Sequence, residues 1–69
     1  MNKPYVLITP AHNEAADIEK TILSVINQTV LPERWVIVND GSSDSTGEIV
    51  RRYLPDNPWL ELVERPARI

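Results

Sequence analysis

Two short apolar runs, separated by a segment of helix length, limit most strongly what this chain can fold into. The first run, residues 5–9, reads Tyr-Val-Leu-Ile-Thr, and the second, residues 35–38, reads Trp-Val-Ile-Val. Continuous apolar runs of this length are typical of strands that are covered on both faces, as in a parallel sheet. We therefore expect two buried strands, and we expect Pro10 to end the first one.

The segment between the two runs has the periodicity of an amphipathic helix. From Ala16 onward, the apolar residues fall on one helical face: Ile18, Ile22, Val25 and Ile26. We expect this helix to end before Leu31, because Pro32 disfavours the helical conformation in the residue that precedes it.

A second helix and a third strand are predicted after residue 44. Residues 45–48 match a capping box, in which the Ser45 hydroxyl accepts a hydrogen bond from the Glu48 backbone and the Glu48 side chain reaches back. The apolar face of the helix that follows consists of Ile49, Val50, Tyr53 and Leu54. After a Pro-rich turn, residues 59–64 alternate in part between apolar and acidic, which indicates a strand with one wetter face. Trp35 and Trp59 are expected to be packing residues.

This order of elements predicts an α/β fold. Strands that alternate with helices pair in parallel through right-handed crossovers, so we expect a β-α-β-α-β portion of a doubly wound, Rossmann-like sheet in a three-layer sandwich. The chain has 69 residues, fewer than the roughly 100 to 150 of a typical domain. We therefore expect residues 1–69 to be the N-terminal part of a larger domain, with a third strand whose bare edge could support self-association.

Composition excludes several classes of function. The net charge is -3 and the only adjacent basic pair is Arg51-Arg52, so we expect no nucleic-acid polymer as a partner. The chain has no cysteine, which removes disulfides and thiolate chemistry. Its apolar runs are too short to cross a bilayer. We expect a cytoplasmic location, at the cytoplasmic membrane face if segments outside these residues anchor the protein there.

Two polar loops follow the first two strands. The first, residues 10–14, reads Pro-Ala-His-Asn-Glu, and the second, residues 39–44, reads Asn-Asp-Gly-Ser-Ser-Asp. Ligands of open α/β sheets bind beyond the carboxyl ends of the strands, where these two loops are expected to lie side by side. Neither the G-x-G-x-x-G fingerprint nor the P-loop pattern is present, so neither NAD nor a P-loop nucleotide is indicated.

The polar residues of these loops each have a binding and a structural interpretation. The Asp40 carboxylate could accept hydrogen bonds from a nucleobase N–H or a ribose hydroxyl, or it could form an Asx-turn before Gly41. His12 could stack on a base or be an exposed loop residue. Asn13 and Glu14 could cap the first helix, and Glu14 could instead accept from ribose hydroxyls. Asp44 is interpreted mainly as a helix-start residue.

Two segments together resemble a known family. The stretch VLITPAHNEAADIEKTILSVINQT, followed by WVIVNDGSSDST, resembles the N-terminal part of the inverting glycosyltransferases of family 2, which have the GT-A fold and use nucleotide-diphosphate sugars. The resemblance extends from Val6 to Thr46. It implies a nucleotide pocket with one wall formed by Pro10, Ala11, His12 and Glu14. It also implies that Asp40 recognises the base, commonly uracil, with loop support from Asn13, Asn39, Gly41 and Ser42.

The chain departs from the family pattern at two points. Asn39 stands where the family usually has the first of two aspartates. The Asp-x-Asp motif, which carries a divalent cation on the diphosphate, has no counterpart, since Asp40 and Asp44 are four positions apart. The resemblance therefore implies that Mg²⁺ or Mn²⁺ serves the intact parent protein through residues outside this chain.

The function implied by the resemblance is sugar transfer by the parent protein. We expect the parent to transfer a sugar from a nucleotide-diphosphate donor, usually a UDP-sugar, to an acceptor hydroxyl with inversion. The acceptor-side general base lies beyond the matched segment in family members, so these 69 residues alone are expected to be inactive. Two alternatives stay open: a nucleotidyltransferase fragment, and a non-catalytic α/β module that assembles through its exposed edge strand.

Overall fold

The computed structural model describes residues 4–41 and 44–66 and contains a small parallel sheet with alternating helices. The elements are β1 (Val6–Ala11), α1 (Ala15–Ile26), β2 (Arg34–Asp40), α2 (Thr46–Tyr53) and β3 (Leu60–Arg65). The strands lie in the order β1-β2-β3, and both neighbouring pairs are parallel. The predicted α/β class and the β-α-β-α-β order are confirmed.

The register aligns the carboxyl ends of the strands at one edge of the sheet. Ala11 of β1 lies opposite Asn39 of β2, and Asn39 lies opposite Glu64 of β3. A single row of three residues therefore crosses the sheet at the last residue of β1 and one residue before the ends of β2 and β3. The loops that follow β1 and β2 consequently start at the same level and at adjacent positions.

The core lies between one face of the sheet and the two helices. Successive right-handed crossovers that step in the same direction place their helices on the same face, here called the covered face. Its buried residues include Trp35 and Ile37 of β2 and Leu60 of β3, and the helices contribute Ile22 and Val50. The helical periodicity predicted for the first helix is confirmed, since Ile18, Ile22 and Val25 are its buried residues.

Both tryptophans pack within this core, as predicted. Trp35 is 1% exposed, and its ring stacks on that of Trp59 with centroids 6.5 Å apart and planes 13° apart. The Trp35 indole Nε1–H donates to the Thr9 hydroxyl over 2.9 Å. The indole thus has its polar atom satisfied while its ring fills the interior.

The opposite face of the sheet, here called the open face, is not covered by any element of the described residues. Ile8 is 70% exposed and Val6 is 53% exposed, so the described residues cover the first strand on one face, and the cover predicted for its other face is not supplied by them. The physical reason is the placement of both helices on the covered face. The described residues supply two layers of the predicted sandwich, the sheet and one helical layer.

Pro10 does not end the first strand. It lies within β1, opposite Val38, and the strand continues to Ala11. Because β1 has only β2 as a neighbour among the described residues, a residue whose N–H would point away from β2 can be proline without the loss of a sheet hydrogen bond.

Within the described ranges, neither helix has the length and the apolar character needed to cross a membrane.

Candidate functional site

The loop after β1 and the end of β2 are in direct contact, as predicted for the carboxyl edge. His12 follows Ala11, and its ring Nδ1 lies 2.7 Å from the Asp40 carbonyl oxygen. A carbonyl oxygen only accepts, so Nδ1 must carry the proton and a neutral ring leaves Nε2 as the acceptor. The side-chain amide of Asn13 lies 3.4 Å from Nε2, where it can donate. Two contacts therefore favour the Nδ1–H tautomer of His12.

Asp40 ends β2 and begins a tight turn. Along β2 its side chain alternates with the buried residues Ile37 and Asn39, which places Asp40 on the open face, half-buried. Gly41 adopts a positive φ of 65°, a conformation that glycine adopts without steric cost. Its N–H donates to the Arg65 carbonyl over 3.0 Å, so β3 holds the turn in place.

The other residues predicted for the nucleotide pocket occupy different environments. Pro10 is exposed on the open face, whereas Ala11 is 2% exposed and its side chain packs in the core. Glu14 is exposed at the start of α1. Ser42, predicted to support the loop, lies outside the described residues. The structure therefore brings His12 and Asp40 into contact. Glu14 lies at the N-cap of α1, two positions after His12 in the sequence.

Asn39, which departs from the family pattern, lies in a polar contact beneath the loops. It is 7% exposed on the covered face, and its Nδ2 lies 3.4 Å from the Glu64 carboxylate. Glu64 also forms an ion pair with Arg51 of α2. A Cβ added at Gly47 would lie 2.8 Å from the Asn39 amide nitrogen and closer still to the Glu64 carboxylate. The glycine therefore lets α2 approach this pair.

Asp44 links the starts of the two helices. Its carboxylate accepts from the Ala15 backbone N–H over 3.1 Å and from the Thr46 backbone N–H over 3.0 Å. It also accepts a hydrogen bond from the Thr46 hydroxyl. That hydroxyl in turn accepts from the Glu14 backbone N–H over 2.9 Å. We call this pair of side chains, Asp44 and Thr46, the latch.

The latch corrects two predictions about helix capping. Ser45 occupies the N-cap position of α2 but makes no side-chain cap bond, so the predicted capping box of Ser45 and Glu48 is wrong. Glu14 occupies the N-cap position of α1 and makes no side-chain cap bond either. The physical reason is the backbone conformation of the two N-cap residues, φ -105° and ψ 17° at Glu14 and φ -85° and ψ 18° at Ser45. A side-chain cap typically requires an extended N-cap residue, from which the side chain reaches the N–H groups of the second or third helical residue.

The hydrogen bonds of the latch shift the acidity of Asp44. The bond from the Thr46 hydroxyl is the largest cause, and the backbone N–H groups of Thr46 and Ala15 add to it, so the pKa of Asp44 lies below its usual value of 3.8. All of these donors favour the ionised carboxylate. Asp44 is thus held as an anion at the positive ends of two helices.

Sequence reasoning recognised Asp44 as a helix-start residue but missed its partner in α1. The local signal was present as an Asp-x-Thr sequence ahead of a helix, since aspartate accepts readily from backbone N–H groups two residues on. The contact with Ala15 spans 29 positions, and no local pattern shows it.

The described residues form no cluster of metal-ligating side chains. No group of three or more His, Asp and Glu side chains comes close enough to hold one within residues 4–41 and 44–66. The Asp44 carboxylate is already occupied by three N–H and O–H donors. Its oxygens are therefore committed to the fold.

A comparison with known protein families gives a match over most of the chain. The model of the family described as "Glycosyl transferase family 2" matches residues 6–68. The chain belongs to glycosyltransferase family 2. No solved structure gives a significant match to it.

Several relatives within this family cover most of the chain. Chondroitin synthase from Pasteurella multocida (strain Pm70) is 37% identical over 57 residues, which are 83% of this chain and 6% of that protein. The succinoglycan biosynthesis protein ExoA from Rhizobium meliloti is 37% identical over 65 residues, 93% of this chain and 20% of that protein. The dolichyl-phosphate beta-glucosyltransferase ALG5A from Trichomonas vaginalis is 34% identical over 71 residues, 91% of this chain and 22% of that protein. The chain therefore spans less than a quarter of the length of each of these relatives.

Proposed function

We propose that this family 2 chain binds the nucleoside of a nucleotide-diphosphate sugar for a glycosyltransferase that transfers the sugar to an acceptor hydroxyl with inversion. The observation that carries the proposal is the contact between His12 and the Asp40 carbonyl, 2.7 Å long, at the carboxyl edge of the sheet. It joins the two loops at the edge where ligands of open α/β sheets bind.

In this proposal the polar residues contact different parts of the nucleoside, the base or the ribose. The Asp40 carboxylate accepts a hydrogen bond from a base N–H, which suits uracil because its ring carries such a donor. The His12 ring, fixed through Nδ1, offers a flat surface for the base. Glu14 accepts from ribose hydroxyls, while Pro10 and the backbone of Ala11 border the same wall.

The names of the relatives support a role for this chain in binding the sugar donor. One relative is named for chondroitin synthesis and another for glucosyl transfer to dolichyl phosphate, so their names differ in what is made. Both share this segment with the chain, covering 83% and 91% of it. A segment shared by enzymes with different products fits the half of the reaction that they have in common, the activated donor.

The residues of this chain take no part in the displacement itself. Asp40 and Asp44 do not form an Asp-x-Asp pair, and in this proposal any Mg²⁺ or Mn²⁺ of the whole enzyme is held by residues outside this chain. We likewise assign the general base that deprotonates the acceptor to other residues. What these residues do is bind and orient the nucleoside.

Titration of nucleoside diphosphates into the purified chain tests the proposal. We expect UDP to raise the melting temperature and Asp40→Asn to weaken UDP binding by about 1 to 3 kcal/mol, the range for the loss of a hydrogen bond to a charged group. Asp56→Asn makes the same charge change in an exposed turn and is expected to leave UDP affinity unchanged. Equal calorimetric affinities for wild type and Asp40→Asn would remove Asp40 from the site.

A further inference from the structure

The latch connects two segments that are far apart in sequence, residues 14–15 and residues 44–46. Asp44 and Thr46 lie between β2 and the first turn of α2, yet they bind the backbone of Glu14 and Ala15. A helix start is ordinarily capped by its own N-cap side chain. Here the cap of α1 comes from residues 29 and 32 positions further along the chain.

The Thr46 hydroxyl of the latch is shielded from water, whereas Asp44 is exposed. Thr46 is 0% exposed, and its hydroxyl both donates to Asp44 and accepts from Glu14. Water cannot easily replace a hydroxyl in such a position, so its removal leaves the Glu14 N–H without an acceptor. The loop after β1 would then lose its attachment to α2.

The latch holds one end of a three-residue loop whose other end is fixed by the sheet. Ala11 is held by its pairing with Asn39, and Ala15 is held by Asp44. Between them, Asn13 adopts a positive φ of 52°. Asparagine is among the residues other than glycine that adopt this conformation most readily, which suits it to a tight loop. Both ends of the short loop that carries His12 are therefore fixed.

We propose that Asp44 and Thr46 are positioning residues that set where His12 lies relative to Asp40 in the nucleoside pocket. This inference rests on the proposed function for its consequence in binding, but its geometric part concerns the protein alone. The latch fixes Glu14 and Ala15, the loop carries His12, and the His12 ring then reaches the Asp40 carbonyl. Without the latch, only part of the population would have the loop in the binding conformation.

Two substitutions at Thr46 test the proposal. Thr46→Val keeps the side-chain shape and removes the hydroxyl, whereas Thr46→Ser keeps the hydroxyl. The readout is the ¹⁵N spectrum of the neutral His12 ring, which distinguishes the Nδ1–H tautomer from the Nε2–H tautomer. We expect wild type and Thr46→Ser to show the Nδ1–H form and Thr46→Val to lose it. Retention of the Nδ1–H form in Thr46→Val would overturn the proposal.

A second variant covers the case in which Thr46→Val does not fold. Asp44 is exposed, and in Asp44→Asn one acceptor oxygen must serve the donors that two oxygens serve now. We expect the same loss of the Nδ1–H signal. Val50→Ala, a core truncation in α2, is the control for lowered stability, and the His12 signal should persist in it. Loss of the signal in Val50→Ala as well would reduce the latch to general stability and overturn the proposal.

Affinity for UDP separates this inference from the proposed function. We expect Thr46→Val to bind UDP about tenfold more weakly than Thr46→Ser, because the competent loop conformation is less populated. If wild type binds no nucleoside diphosphate while Thr46→Val loses the His12 signal, the proposed function fails and the positioning of His12 stands. If UDP binds all variants equally, the positioning role fails and the proposed function stands.

Discussion

Asn39 shows how one residue choice depends on its neighbours across the sheet. It lies between Ala11 and Glu64 in the row that ends the strands, and it is buried on the covered face. Its amide nitrogen faces the Glu64 carboxylate at 3.4 Å. An amide can donate to this carboxylate, whereas an ionised aspartate cannot. The departure from the usual family aspartate therefore has a physical partner in Glu64.

Asn39→Asp is expected to destabilise the chain at neutral pH. The substitution removes the donor to Glu64 and brings two carboxylates together at a buried position, which raises the pKa of one of them. We expect the free energy of unfolding to fall by about 1 to 3 kcal/mol, the cost of an unsatisfied buried polar group. Urea unfolding at pH 7 and at pH 4 measures it, and part of the loss should be recovered at the lower pH.

Glu64→Gln supplies the control for Asn39→Asp. In the double variant, the glutamine amide can donate to the introduced carboxylate, so the stability should recover relative to Asn39→Asp alone. The exposed ion pair of Glu64 with Arg51 is lost in the process, and exposed pairs of this kind contribute little. Additive effects of the two substitutions would contradict the proposed pairing of these side chains.

At the scale of elements, both helices begin at the same carboxylate. Asp44 accepts from Ala15 at the start of α1 and from Thr46 at the start of α2. The helices also meet further along, where the Tyr53 hydroxyl donates to the Glu19 carboxylate over 2.6 Å. That bond is the largest cause of a Tyr53 pKa above its usual value of 10.0. The helical layer is therefore joined at its start by Asp44 and along its length by Tyr53.

We expect the latch to contribute a part of the folding stability that is lost at acid pH. The folded-state pKa of Asp44 lies below its ordinary value of 3.8, so the folded state favours the ionised form. Its contribution is present above pH 3.8 and is lost as the pH falls through the lower folded-state pKa. Denaturant unfolding measured from about pH 5 to pH 2 should show this loss in wild type and a smaller loss in Asp44→Asn.

The exposed turn aspartate Asp56 gives the matched comparison for this pH dependence. Asp56→Asn removes one carboxylate of the same kind and leaves the latch intact. Its profile is expected to retain the component that Asp44→Asn loses. Identical acid profiles for the two variants would show that the latch contributes nothing specific.

The elements could be predicted from sequence because their signals are local. Helical periodicity placed Ile18, Ile22 and Val25 in the core, and apolar runs placed the first two strands. The meeting of the two loops also followed, because parallel strands end at one edge. The helix caps could not be predicted, since Asp44 reaches Ala15 across 29 positions and the local candidates Ser45 and Glu14 make no side-chain cap bond.

For the whole molecule, the two faces of the sheet differ sharply. The covered face carries the core and the buried side chain of Asn39. The open face carries Ile8 next to Val36 of the neighbouring strand, and Val38 next to Val63. Ile8 and Val63 are 70% and 45% exposed, so apolar side chains of all three strands contribute to this face. Contiguous exposed apolar surface of this kind favours association.

The isolated chain is therefore expected to self-associate through the open face. Association of two copies would remove the exposed side chains of Val6, Ile8 and Val63 from water. Sedimentation velocity over a concentration series should show a monomer that converts to dimers or larger species. Ile8→Lys introduces a charge that would have to be desolvated in that contact, and we expect it to shift the distribution to monomer.

Leu23→Lys separates the open face from exposed apolar residues in general. Leu23 is 42% exposed on α1 and receives the same substitution, with the same change in net charge, away from the open face. If the open face drives association, Leu23→Lys should sediment like wild type while Ile8→Lys becomes monomeric. Equal suppression by both variants would assign the association to net charge, since repulsion between copies then suffices. Persistence of association in Ile8→Lys would place the contact elsewhere. The next candidate is the edge of β3 that faces away from β2, since no strand of the described residues pairs with it and an edge of this kind can add a strand.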